Sequence, residues 1–319
     1  MTERRVIVDT DTATDDALAL LVLGLSTRTE IEAVTVVCGN VAFDRQVENA
    51  KYALSLASVD APVYEGERTP LEKSIASAEN VHGEGGLGGD LFPETDVPSA
   101  AESAVDFLGR LGQESTDGLV LLCLGPLTNV ASALSREPGL SEAFEEVWVM
   151  GGVRNGLGNV TPAAEFNFYA DPDAAKQVLD AMDVTLVDWR LSVDSGALTG
   201  TDLEEIAAAR DASPLAEFFT QAIQQVRLFN REQRGTDGAI QADALAAILL
   251  LAPELIEDDS RYFVDVDERE GLTRGYTLVD ELGVTDATPR TRVITEADGE
   301  RVRAVIRSTL ISADPDAVL

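Results

Sequence analysis

The stretch VDTDTATDDA at residues 8–17 puts Asp9, Asp11, Asp15 and Asp16 within eight residues, directly after the apolar run Val6-Ile7-Val8. A short, unbroken apolar run reads as a strand buried on both faces. On an extended segment Asp9 and Asp11 point to the same side. Asp15 and Asp16 then open the next helix, with Thr14 as its N-cap. A helix N-terminus stabilises an anion by only about 0.3–1 kcal/mol. Two carboxylates about 4 Å apart repel by roughly 4 kcal/mol at an effective dielectric near 20. The fold must therefore keep some of these groups protonated or place a cation among them. An all-oxygen set of this kind suits Ca²⁺ or Mg²⁺ rather than zinc.

The same kind of apolar run recurs along the chain. Val6–Val8, Ala33–Val37, Val63–Tyr64, Leu119–Leu124, Val147–Met150 and Val184–Val187 are strand candidates. Helix-period segments lie between them at Asp16–Leu25, Arg45–Ala57, Ala101–Leu111, Leu127–Leu134 and Pro172–Met182. This alternation predicts an α/β fold: a doubly wound, mostly parallel sheet with helices on both faces. The last third is more helical. Apolar residues at 215, 219, 222, 226 and 229 predict one long amphipathic helix over Pro214–Arg234, and 243–250 reads as a buried helix. Arg292–Thr295 and Val302–Ile306 fit either short strands or a helix. No linker, repeat or low-complexity tract divides residues 1–319, so a single domain is expected. In such sheets ligands bind outside the carboxyl ends of the strands. Asp9 and Asp11, Cys38-Gly39-Asn40, Gly125 to Asn129, and Met150-Gly151-Gly152 all fall at such ends.

Composition narrows the function classes. The chain carries 57 acidic and 24 basic side chains, a net charge of −33, and its lysines are only Lys51, Lys73 and Lys176. With no basic stripe, nucleic acid is excluded as a partner. The acids are spread along the chain, as expected of a solvated surface suited to a very salty cytosol, where screening removes self-repulsion. The longest apolar run, Ala244–Ala252, is about half of the roughly 20 residues a membrane span needs. The N-terminus lacks the apolar region of a signal peptide. A cytoplasmic protein is expected, with Cys38 and Cys123 as buried free thiols.

A strand followed by DxDxT also opens the haloacid-dehalogenase-like phosphatases, with Asp9 as nucleophile and Asp11 as acid/base. That pattern needs a downstream Lys at a strand end, which this chain lacks, and it does not contain the tandem Asp15-Asp16.

A second resemblance is distributed over the whole chain. VDTDTATDDALAL, VVCGNVAFDRQVENA, VHGEGGLGG, LGPLTNVASAL, VMGG and GNVTPAAEFNFYADPDAA resemble the hallmark segments of the inosine–uridine-preferring nucleoside hydrolases. QADALAAILLLAPEL and RGYTLVD extend the match. The resemblance implies hydrolysis of the N-glycosidic bond of a ribonucleoside, giving ribose and free base. It implies Ca²⁺, in preference to Mg²⁺, held by Asp11, Asp16, Asp243 and the backbone carbonyl of Leu124. Asp11 would be the general base towards a metal-held water. Asp15, Asn40, Asn167 and Asp243 would hold the ribose 2′- and 3′-hydroxyls, and Asn159, Glu165 and His82 the 5′ end. Paired Asn and acid groups suit a vicinal diol, because each hydroxyl both donates and accepts. A small-molecule nucleoside as substrate and a homodimer or homotetramer as assembly follow from the same resemblance.

His82, the chain's single histidine, lies in the flexible loop HGEGGLG. Gly83, Gly85 and Gly88 fit GxGxxG, but no strand precedes them, so a mobile lid is the better reading than a dinucleotide fingerprint.

Three positions depart from the family pattern. Thr12-Ala13 replaces Pro-Gly, so the turn must avoid positive φ at Ala13. Ala242-Asp243 replaces the His-Asp whose His protonates the leaving base in the best-known members. VDWRLS at 187–192 replaces a Leu-Asp-Val-Thr-like stretch. Trp189 either packs in the core or stacks on a base, while Trp148, inside a strand, is a core residue. Arg227, Arg231 and Arg234 share one helical face and are expected to pair with surface acids, with Arg234 able to reach the base pocket. Two alternatives therefore stand beside the nucleoside hydrolase: a hydrolase of another N-riboside, and a non-catalytic homologue that binds ribose or a nucleoside.

Overall fold

The computed structural model describes residues 4–114 and 118–319, with the side chain of Arg234 outside the described set. Its centre is an eight-stranded sheet. In chain order the elements begin β1 (Arg4–Thr10), α1 (Thr14–Leu25), β2 (Thr29–Val36), α2 (Phe43–Leu56), β3 (Val63–Glu65), α3 (Glu79–His82), α4 (Ala104–Leu111), β4 (Leu119–Cys123), α5 (Thr128–Arg136) and β5 (Glu146–Met150). They continue with α6 (Phe166–Ala170), α7 (Pro172–Ala181), β6 (Thr185–Val187), α8 (Trp189–Ser195), β7 (Ala197–Thr199), α9 (Gly200–Ala208), α10 (Pro214–Ala222) and α11 (Gln224–Phe229). The last are β8 (Gly238–Ile240), α12 (Ala242–Leu251), β9 (Ile256–Tyr262), β10 (Val264–Val266), β11 (Thr277–Val279), β12 (Thr291–Ala297) and α13 (Gly299–Ser312).

The strand order is β3-β2-β1-β4-β5-β6-β12-β9, parallel throughout except for β9, which runs antiparallel to β12 at the edge. The chain leaves β1 towards β2 and β3 on one side, then returns to β4 on the other. The gap between the carboxyl ends of β1 and β4 is thus the topological switch point, where open α/β sheets bind ligands.

Both faces of the sheet are covered, which explains the unbroken apolar runs. Val6 and Val8 of β1, Val120 and Leu122 of β4, and Trp148 and Met150 of β5 pack into one layer with α1, α12 and α13. Ile7, Leu121, Val147 and Val149 point the other way, into a layer with α4, α5 and α7. Trp148 is buried, as expected, and its indole N–H donates to Glu146 at 2.7 Å. Cys38 and Cys123 are buried free thiols.

The structure corrects several local expectations. Ala13, not Thr14, caps α1, and it is the Asp16 carboxylate that accepts the Ala13 N–H at 2.9 Å. Ala13 has φ −120°, so the turn does avoid positive φ without the family's glycine. Thr14 is drawn away, its hydroxyl donating to the carbonyls of Gly86 and Ala222. The helix expected over Pro214–Arg234 breaks into α10, α11 and a π-helical turn over Asn230–Arg234. Arg292–Thr295 is strand, in β12, and Val302–Ile306 is helix, in α13. His82 closes the single-turn helix α3 rather than lying in a loop. No helix among the described residues is long and apolar enough to cross a membrane.

Candidate active site

A cavity of about 410 Å³ opens at the switch point, lined among others by Asp15, Asn40, Leu124, Asn159, Glu165, Asn167 and Asp243. Asp11 and Asp16 are buried beneath this lining.

Asp11 lies one residue past the end of β1 and is 1% exposed. Its Oδ2 accepts the Asn40 N–H at 2.8 Å, while its Oδ1 is buried with no partner. Two glycines make room for it. A Cβ on Gly39 would fall 2.0 Å from Asp11 Oδ2, and one on Gly125 would fall 2.8 Å from Oδ1. The carboxylate therefore sits between the backbones that follow β2 and β4, which can approach it only without side chains.

Asp16 is fixed by the Thr10 hydroxyl at 2.6 Å, besides the Ala13 N–H. Asp15 and Asp16 occupy the first turn of α1, and Asp243 the first turn of α12. Two helix N-termini thus bring their acids to one point, and carboxylate oxygens of Asp15, Asp16 and Asp243 lie within 4.8 Å of one another. The Asp15 and Asp243 carboxylates face each other at close range. Burial raises every member of the group. Asp15 and Asp16 are pushed up to about 6, and Asp11 and Asp243 well above the usual carboxylate range, with the neighbouring carboxylates adding to the effect. The unpartnered Asp11 Oδ1, the crowded oxygens and the purely oxygen donor set fit a hard cation.

Asp9 takes no part in the cavity. Its Oδ1 accepts from Thr35 at 2.5 Å and from Asn129 at 2.8 Å, and burial pushes it up to about 7. The two aspartates of the DxD thus serve different places.

Of the residues expected at the ribose, Asn40 reaches both acids. Its side-chain N–H donates to the Asp11 carbonyl at 3.3 Å and to Asp16 Oδ2 at 3.5 Å. Asn167 donates to the Leu124 carbonyl at 2.7 Å and to the Met150 carbonyl at 3.2 Å, and so orients the Leu124 oxygen. Glu165 caps α6, accepting from Asn167 N at 2.9 Å and from Gly152 N at 2.8 Å, and burial pushes it up to about 7. Asn159 Oδ1 and His82 Nδ1 are buried without hydrogen-bond partners. Burial pushes His82 down to about 4, which keeps its imidazole neutral at pH 7.

The other end of the cavity is lined by Trp189, Val226, Phe229, Asn230, Gln233, Ile240 and Ala242. Trp189 packs, partly buried, against the core and also lines the cavity. Arg227 and Arg231 pair with Asp237, as expected of surface arginines. The side chain of Arg234 lies outside the described residues. Sequence reasoning missed Val226, Phe229, Asn230 and Gln233 as site residues. It also missed Asn49, whose amide ties the Thr12 carbonyl (3.0 Å) to that of Gly85 (2.9 Å). Asn49 stands inside the quoted VVCGNVAFDRQVENA motif, which was the available signal. These four stand at the i, i+3, i+4 and i+7 positions of one helical face, but Val226 and Phe229 read there as the packing side of an amphipathic helix, and nothing in the spacing says what that side faces.

Residues 6–304 match the family model described as inosine-uridine preferring nucleoside hydrolase. The chain is 34% identical over 300 residues to a pyrimidine-specific ribonucleoside hydrolase, RihA, of Enterobacter sp. (strain 638), covering 92% of this chain and 93% of the relative. It is similar to a solved plant nucleoside hydrolase, PpNRh1, with TM-score 0.89 and 29% identity over 97% of this chain and 99% of the other. A solved inosine-guanosine nucleoside hydrolase gives TM-score 0.86 and 28% identity over 98% and 99%. Members of the family are metal-dependent hydrolases of N-glycosidic bonds, and a carboxylate cluster able to take a metal is present here. With the family's segments assembled around one cavity at the switch point, the chain belongs to the inosine-uridine preferring nucleoside hydrolase family.

Proposed function

We propose that this enzyme is a Ca²⁺-dependent ribonucleoside hydrolase that releases ribose and free base, with Asp11 as its general base. The observation that carries the reading is the unpartnered Asp11 Oδ1, enclosed by Gly39 and Gly125 beside the Asp15, Asp16 and Asp243 carboxylates. Asp11, Asp16, Asp243 and the Leu124 carbonyl would hold the cation. When bound, it would orient a water and lower that water's pKa.

Asp11 then takes the water's proton, with Asn40 holding its other oxygen in place. Asp15, Asn40, Asn167 and Asp243 grip the 2′- and 3′-hydroxyls, which fixes the anomeric carbon over the acid cluster. Asn159, Glu165 and His82 close on the 5′ end. His82, neutral at pH 7, serves there as a hydrogen-bonding group. The transition state of glycoside cleavage is oxocarbenium-like, and the buried carboxylates favour that positive charge. At position 242 a buried methyl replaces the imidazole of the best-known members, so departure of the base depends on the Trp189, Phe229 and Asn230 end of the cavity.

That same Ala242 favours a second reading, a homologue that binds ribose or a nucleoside without turning it over. A reducing-sugar assay on purine and pyrimidine ribonucleosides in high salt, with EDTA and then Ca²⁺, separates the two. Metal-dependent ribose release supports the hydrolase. Ribose binding without release from any nucleoside supports the binding homologue. Hydrolysis of some other N-riboside would appear as release confined to that substrate.

The acidic surface supports a cytoplasm of high salt. A homodimer or homotetramer is the assembly that the family resemblance implies, and light scattering after size-exclusion tests it.

A further inference from the structure

Trp189, Asn230 and Ile240 line not only the active-site cavity but also a second cavity, of about 820 Å³, that adjoins its base end. We propose that this second cavity extends the leaving-group site and admits ribonucleosides whose base carries an apolar substituent. The inference rests on the ribonucleoside hydrolase reading and names a substrate class for it.

The first cavity, at about 410 Å³, already accommodates a ligand the size of a simple nucleoside. The second adds more room than that reaction needs. One wall is α8, on which Trp189 and Val193 stand one turn apart and share a face, forming an apolar track from the first cavity into the second. The facing wall is the antiparallel β7–β8 pair, whose register sets Ala197 opposite Ile240 and Leu198 opposite Ala239. β8 runs through Gln241 into Ala242 and Asp243, so this wall continues directly from the floor of the active site.

The third side is the 155–158 loop. Gly158 passes so close to the chain that a Cβ there would lie 2.0 Å from the Ala164 carbonyl, which holds the loop against the body of the protein. Leu157, beside it, is 77% exposed, and Val193 is 44% exposed. In a chain of net charge −33, two large apolar side chains left to water on the walls of one cavity are surface that an apolar group would cover. The charges nearby are satisfied at the rim, where Arg190 and Asp194 pair at 3.2 Å. The bond broken is the same N-glycosidic bond, and the substituent only adds binding away from the reacting atoms.

The test measures reducing-sugar release from adenosine, cytidine, N6-hexyladenosine and N4-hexylcytidine, with Ca²⁺ in high salt, by the wild type, Val193→Asp and Leu157→Asp. For whichever base is accepted, the hexyl derivative is expected to match or exceed the plain nucleoside in kcat/KM, by about tenfold, the scale of small apolar changes in such pockets. Each variant should lower the hexyl-to-plain ratio by about tenfold. Cleavage of the plain nucleoside with rejection of its hexyl derivative overturns the extension and leaves the hydrolase reading intact. That result is expected if a second copy of the chain covers the cavity. A ratio unchanged in both variants also overturns it, because the substituent then follows another route. If no substrate releases ribose, the hydrolase reading fails instead. Calorimetric binding then decides the extension: it stands if the hexyl derivative binds more tightly and Val193→Asp removes the gain, and falls otherwise.

Discussion

The two ends of the active-site cavity are built by different means. The acid-cluster end, proposed above to hold the ribose, comes from the carboxyl ends of central strands and the first turns of two buried helices. Asp11 and Asp16 there are short and buried, and hydrogen bonds from Asn40, Thr10 and Ala13 hold them in place beside the strand ends. The other end, proposed to take the base, comes from a broken helix, a π-helical turn and a three-residue strand inserted between β6 and β9. Its side chains are larger, more apolar and open to a second cavity. On the proposed reaction, the contrast means that the sheet fixes the chemistry at one end and leaves the choice of leaving group to the other. The relatives bear the same stamp: a pyrimidine-specific hydrolase and an inosine-guanosine hydrolase share this fold.

The strongest test of that division is Asp11→Asn. It keeps the shape and hydrogen bond of the residue but removes the base, and kcat should fall by about 10³, within the usual range for a general base. A loss below about tenfold, read by reducing-sugar release, would take the chemistry away from the ribose end. Next in size is metal removal. Activity should vanish in EDTA and return with Ca²⁺, and Ca²⁺ at 100 times its Kd should stabilise the fold by about 2.7 kcal/mol.

The metal-free protein should also show a pH signature. Asp15 and Asp16, held near 6, have pKa values above those of an unfolded chain. Their contribution is full below about pH 4, the unfolded value, and is lost as pH rises through about 6. Thermal melts in EDTA should therefore fall from pH 5 to pH 8, and saturating Ca²⁺ should remove that slope. A flat profile in EDTA would mean the cluster is not the buried acid group described.

At the base end the expected effects are smaller. Trp189→Ala should raise KM for the preferred nucleoside by about tenfold with less change in kcat, since it removes contact area rather than a reacting group. An equal fall in kcat would show that this end also assists departure of the base. Smallest of all in activity is Asn49→Ala, which leaves the carbonyls of Thr12 and Gly85 without their donor. It should cost about 1–3 kcal/mol of stability, measured by denaturant unfolding, with the site otherwise intact.

The same division separates what was legible in the sequence from what was not. The central strands β1, β4 and β5 were legible because both faces are buried, which writes each as a largely apolar run, while of β2 only the buried second half could be read. The strands β7 to β11 were not. β7, β8, β10 and β11 span three residues each and form two small antiparallel pairs, and β9 is an edge strand, IEDDSRY, with mostly solvated side chains. Hydropathy carries no message where little is buried. Thr14 had the composition of an N-cap, but the cap geometry went to Ala13 because the Asp16 carboxylate already satisfies that turn.

By itself, then, the sequence determined the parallel sheet, the acid cluster at the end of β1 and the family it resembles, because each is written in adjacent residues or in a fixed spacing. Only the tertiary structure decided which acids meet. Asp243 lies far along the chain from Asp15 and Asp16, and joins them because α12 packs beside α1 with the same polarity, so that both N-termini reach one point. The tertiary structure likewise decided the shape of the base end. The wall shared by the two cavities forms where Asn230, at the start of the π-helical turn, meets Trp189 of α8 and Ile240 of β8, a meeting of distant segments that the spacing within one helix cannot reveal.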